Sequence, residues 1–141
     1  VREYDWIDGW SCELIHSESG FAEKNCVFRT NLHGDGERTW VVSHYDPERF
    51  EIGFVVMAKS SLILNFDITV KDRGDGTANA TWTNVATALN EQGNDLVEAF
   101  TDDVFAARIK FLEGALNHYL QTGAMLKSGF YAHAGKPGSE G

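Results

Sequence analysis

Residues 61–72, Ser-Leu-Ile-Leu-Asn-Phe-Asp-Ile-Thr-Val-Lys-Asp, carry the reading that decides the fold. Leu62, Leu64, Phe66, Ile68 and Val70 occupy the even positions, and Asn65, Asp67, Thr69 and Lys71 the odd ones. Successive side chains of a strand point to opposite faces, so this alternation predicts a strand with one apolar and one polar face. A strand covered on one side only belongs to an antiparallel sheet. The pattern places Phe66 inside and Asp67 in solvent, and a slip of one residue would invert every inward assignment.

The same period extends outward from this stretch. Towards the C-terminus, Ala78, Ala80 and Trp82 alternate with Thr77, Asn79, Thr81 and Thr83 over residues 77–87. Towards the N-terminus, Phe50–Ala58, Trp40–Tyr45, Lys24–Thr30 and Trp10–Ser17 are rich in the β-branched and aromatic residues that suit a pleated surface. Asp-Gly pairs in HGDGER (33–38) and DRGDGT (72–77) mark hairpin turns. Six consecutive strands joined by short turns predict an antiparallel meander.

Beyond residue 90 the period changes. From Asn94 to Gln121 there is no Pro, and apolar residues recur every three or four positions. One stripe runs Val97, Phe100, Val104, Phe111, Ala115 and Tyr119; a second runs Phe105, Ile109, Leu112, Leu116 and Leu120. Together they are wider than one sheet face needs, so the first stripe is expected on the sheet and the second against another segment or a second subunit. Asn90 or Asn94 suits the N-cap, Thr101 offers a break, and Gly123 suits the end. The fold class is therefore α+β, a curved antiparallel meander around a long C-terminal helix. Residues 1–126 are expected as one domain and 127–141, which include HAGKPGSEG, as a flexible tail.

Composition narrows the function. In 141 residues, 43% are hydrophobic and 23% charged, the size and mixture of one globular domain. Twelve basic against 21 acidic residues give a formal charge of −9 with no basic patch, which argues against nucleic acid and against anionic membrane surfaces. No apolar run has the roughly 20 residues of a membrane span. Two Cys suit a reducing, cytoplasmic setting. If Glu13 pairs with Arg29, Cys12 and Cys26 lie out of register for a bridge, and both are expected inside as inert thiols. The five His form no HxH or HExxH pattern, and CxxC, GxSxG, P-loop and GxGxxG motifs are missing from the sequence. No metal, cofactor or catalytic residue is assigned.

The segments ALNEQGNDLVEAF and ALNHYLQTGAML, with WVVSHYDPERFEIGFVV and YDWIDGWSCELIHSESG, resemble the SRPBCC superfamily of START-like or Bet v 1-like helix-grip proteins, in particular its small bacterial members. The resemblance reaches to about Leu126. It implies a seven-stranded sheet gripping the C-terminal helix, two short helices after the first strand, and an apolar or amphipathic ligand between sheet and helix. The first strand of that family has no counterpart here, so an incomplete chain is expected, with a last strand whose open backbone donors invite a homodimer.

Within that frame the expected ligand-binding residues are Trp40, His44, Phe66, Trp82, Asn84, Arg108 and Phe111. Alternation puts Trp82 and Asn84 inside with Ala80, and His44 inside with Trp40 and Val42; Ala78, Ala80 and Ala86 leave room beside the rings. Arg108 stands in the middle of the helix's apolar face. It can run its stem to water, pair with an inner carboxylate or carbonyl, or receive the carboxylate of an amphipathic ligand. The leading expectation is binding of a hydrophobic or amphipathic molecule such as a lipid, fatty acid or polyketide. The alternatives are a cyclase- or dehydratase-like enzyme using His44 or His16 as acid/base, and a protein-interaction domain.

Overall fold

A computed structural model describes residues 2–32 and 36–127. Residues 33–35, with the expected turn and His33, and most of the expected tail, with His133, lie outside the described residues. The protein is α+β. Six strands, β1 (Cys12–His16), β2 (Val27–Leu32), β3 (Gly36–Asp46), β4 (Glu51–Ala58), β5 (Leu62–Asp72) and β6 (Ala78–Ala88), form one antiparallel sheet in sequence order. A 3-10 turn, Glu3–Asp5, precedes them; helices α1 (Glu91–Ala99) and α2 (Asp102–Thr122) follow.

The strand pairing follows the alternation read from residues 61–72. Leu62 and Leu64 are buried, Phe66 and Ile68 half-buried, and Asn65 and Asp67 exposed. Cross-strand partners preserve the faces: Phe54 lies opposite Phe66, Val56 opposite Leu64, and Glu13 opposite Arg29. The Glu13–Arg29 ion pair, at 3.3 Å, is exposed and of little energetic weight.

The expected helix over 94–121 is two helices. Asn90 caps α1 by accepting from the Gly93 N–H, and the Thr101 hydroxyl caps α2 by accepting from the Val104 N–H. Phe100 between them has φ −94° and ψ 69°, outside the helical region, so the chain turns there. Gly123 ends α2 at φ +70°, a left-handed conformation open to glycine without penalty. The α1 backbone sits against the β4–β5 turn. There Ser61, which is buried, donates through its hydroxyl to Gln92 Oε1 at 3.2 Å, and a Cβ at Gly93 would collide with the Ser61 carbonyl.

The core divides into clusters. Val56, Ala58, Leu62 and Leu64 pack with Trp40, Phe54 and Ala86; Cys26, Phe28 and Val42 pack with Trp40, Ile52 and Phe54. Apart from Cys26, which directly precedes β2, both consist of strand residues. The third holds Ile7 and Leu112 with Trp6, Trp10, Trp82 and Phe111. Leu112 of the second stripe, joined by Phe111 of the first, thus meets the N-terminal segment. Two contacts tie that segment down further: Arg2 donates to the Tyr119 hydroxyl at 3.0 Å, and Lys127 pairs with Asp8 at 3.1 Å. The first stripe is covered unevenly, since Ala115 is 0% exposed but Val104 is 43% exposed.

Candidate functional site

The inner face of the sheet carries a row of five aromatic rings, one from each of β2 to β6. Phe28 stacks on Trp40 at 5.6 Å between centroids, Trp40 meets Phe54 edge-on at 5.5 Å, Phe54 stacks on Phe66 at 6.1 Å, and Phe66 meets Trp82 edge-on at 5.4 Å. The register builds this row. Phe28 and Trp40 are direct cross-strand partners, as are Phe54 and Phe66, while the steps from Trp40 to Phe54 and from Phe66 to Trp82 are diagonal. The Trp40 indole N–H donates to the Thr30 hydroxyl at 2.8 Å, so its polar edge is satisfied within the sheet and the ring is fixed.

Phe28 is buried, but Trp40, Phe54, Phe66 and Trp82 are only half-buried. The reason lies in the division of the core. No α2 side chain belongs to either sheet cluster among the described residues, and Trp82 is the ring shared by the aromatic row and the α2 cluster. Beside Trp82 an open groove of about 440 Å³ runs along α2, lined by Phe105, Ala106, Ile109, Lys110 and Glu113. Its floor is apolar and its rim carries one charge of each sign.

The expected ligand-binding residues separate on this geometry. Trp40, Phe66 and Trp82 share the aromatic row, and Asn84 lies opposite Phe66 on the same face. The buried Asn84 Oδ1 has no hydrogen-bond partner among the described residues. Phe111 packs with Trp82 in the α2 cluster. Arg108 is half-buried, with its guanidinium 5.3 Å from the Phe100 ring centroid, a cation–π contact. Of the seven, Trp82 alone lines the groove.

His44 is a correction. Alternation from Trp40 and Val42 placed it inside, but a bulge intervenes: Val42 lies opposite Phe54 and His44 opposite Gly53. The extra residue returns His44 to the Gly53–Asp67 face, which is the outer one. A Cβ at Gly53 would stand 2.5 Å from Asp67 Oδ1, 3.2 Å from Ser43 Oγ and 3.3 Å from His44 Cβ, so these side chains crowd the same side. His44 pairs there with Glu51 at 3.3 Å. A second shift, between Leu14 and His16, sets His16 opposite Val27 and exposed. Neither expected acid/base His reaches the aromatic row.

Cys12 is the other correction. Cys26 is buried as expected, but Cys12 is exposed, because β1 is a short edge strand with all five residues open to solvent. Both thiols line a pocket of about 230 Å³ with Tyr4, Leu14, Gly20 and Phe21. Partial desolvation, then the charge of Glu3, pushes the Cys12 thiol pKa up, which makes it a poorer nucleophile at neutral pH. Among the described residues, no three His, Cys, Asp or Glu side chains converge to hold a metal ion, and no helix is long and apolar enough to cross a membrane.

Phe28 and Phe54, read from the sequence as inward residues, were not among the expected ligand-binding residues. Both were legible, since each sits on the inward parity of its strand. Comparison of the chain with protein-family models, curated proteins and solved structures finds no match.

Proposed function

We propose that this protein binds a hydrophobic or amphipathic small molecule against the aromatic row, in the manner of a helix-grip module. The observation that carries the reading is the row itself. Four neighbouring rings remain half-exposed on the inner face of the sheet, where burial against a helix would be worth roughly 25 cal/mol for each Å² of apolar surface. Large apolar surface left uncovered beside a groove is a binding surface more often than a packing surface. Ring faces that alternate between stacked and edge-on suit an acyl chain or a fused-ring body, which need no directional bonds.

The polar end is assigned to Arg108. Its planar fork can hold a carboxylate with two parallel hydrogen bonds, and Phe100 supports the guanidinium from one side. The ligand is then a carboxylate-bearing amphiphile of fatty-acid or polyketide type. Titration with dodecanoate and with dodecanol, followed by calorimetry and native mass spectrometry, tests this. Dodecanoate is expected to bind in one-to-one stoichiometry, with Arg108→Met weakening it about tenfold and leaving dodecanol unchanged. Equal dodecanoate affinity in wild type and Arg108→Met would refute the polar assignment, and binding of neither probe would refute the site.

A further inference from the structure

The geometry points to β6 as a self-association edge, at which two copies of this chain pair antiparallel about a two-fold axis through Thr83. The two ends of the sheet differ. The β1 edge is five residues long, broken by a register shift and carries Glu13 and His16, the usual guards against strand addition. The β6 edge, Ala78–Ala88, is eleven residues long, contains no charge and no Pro, and pairs with β5 without a register shift. Helix α1 follows β6 directly, and its start is held at the β4–β5 turn, where the Leu89 N–H and the Gln92 side chain meet Ser61.

The hydrogen-bond phase of that edge is fixed by its ends. Leu89 N–H donates to the Ser61 carbonyl at 2.9 Å, and Arg73 N–H to the Thr77 carbonyl at 3.0 Å. Both bonds continue the β5–β6 register, so the odd residues of β6 bond to β5 and the even ones turn their backbone groups outward. An antiparallel partner must therefore set even residues opposite even residues, inner face beside inner face. Centring on Thr83 does this over the whole strand: Ala78 meets Ala88, Ala80 meets Ala86, and Trp82 meets Asn84 of the second copy. On the outer face Asn79 meets Thr87, Thr81 meets Val85, and Thr83 meets itself. The Ala–Ala pairs are small with small, Asn79 with Thr87 is polar with polar, and Thr81 with Val85 sets two β-branched side chains together.

The groove on α2 lies at this same margin, and each copy brings Lys110 and Glu113 to it, one charge of each sign.

The test uses the full chain carrying Cys12→Ser, so that the exposed native thiol does not interfere. Sedimentation velocity is expected to show a dimer at tens of micromolar, and Thr83→Lys, which sets like charges opposite at the axis, to weaken it at least about tenfold with unchanged circular dichroism. Thr83→Cys is expected to cross-link under mild oxidation, because self-facing residues in a non-hydrogen-bonded pair have Cα atoms about 4.5 Å apart. Thr81→Cys, facing Val85, should not. A monomer at all concentrations overturns the proposal. So does a dimer indifferent to Thr83→Lys, or cross-linking through Thr81→Cys as readily as through Thr83→Cys. Protection of the Ala80, Trp82, Asn84 and Ala86 amides in a monomer would place another strand of the same polypeptide on this edge and equally overturn it.

Discussion

Trp82→Ala removes the one ring common to the aromatic row and the α2 cluster. A tryptophan side chain buries on the order of 200 Å² when fully packed, about 5 kcal/mol at 25 cal/mol per Å². Trp82 is half-buried and borders an open groove, so part of that surface already meets water and the space left behind fills with solvent. A loss of about 3 kcal/mol is expected, the low end of the range for a large aromatic replaced by alanine. Urea unfolding followed at 222 nm gives the free energy. A double-mutant cycle then separates the two contacts. Trp82 is expected to couple by about 0.5–1 kcal/mol to Phe66 and by a similar amount to Leu112. A total cost below about 1 kcal/mol, or coupling to one of the two partners alone, would refute the role of Trp82 as the junction between sheet and helix.

Gly93→Ala drives a methyl into the Ser61 carbonyl, which is backbone and cannot swing aside, so a loss of roughly 1–3 kcal/mol in thermal or urea unfolding is expected. Glu23 accepts hydrogen bonds from Ser17 Oγ at 2.8 Å and from the Glu18 and Ser19 amides. These bonds lower its pKa from the ordinary 4.5 to about 2, so the β1–β2 loop holds its order above pH 4.5 and loses it as pH falls towards 2; amide exchange at Glu18 and Ser19 across that window reads the change. Maleimide is expected to label Cys12 in the folded protein, faster as pH rises, and Cys26 only after denaturation, with the two sites resolved by peptide mass spectrometry.

The strand faces were readable because parity is a strict rule: Trp40, Phe66, Trp82 and Asn84 share the inner face that period two gave them. His44 was not, because a bulge inserts one residue without any mark in composition; Ser43 and His44 read like ordinary strand residues. Gly53 was the available sign, since a glycine in a strand interior often marks such a crowding, yet it is one residue among several turns rich in glycine. The split at Phe100 was half visible, in Thr101 with Asp102 and Asp103 as a helix start. Cys12 was misjudged for a different reason. Parity gives the face of a strand, but whether anything covers that face depends on neighbours distant in sequence, and at the β1 edge little does. The same limit governs the site: alternation lines up the rings, while the standoff of α2 from the sheet depends on the packing of Ile7, Trp6 and Trp10 beneath Leu112.

The most direct test of the central claim is contact between a bound acyl chain and the aromatic row. Nuclear Overhauser measurements on protein labelled at Trp and Phe, saturated with protonated dodecanoate, report it ring by ring. Contacts from the chain methylenes to Trp40, Phe54, Phe66 and Trp82 are the predicted result. Contacts confined to Phe105 and Ile109 in the groove, or none to any ring at saturating ligand, would contradict it.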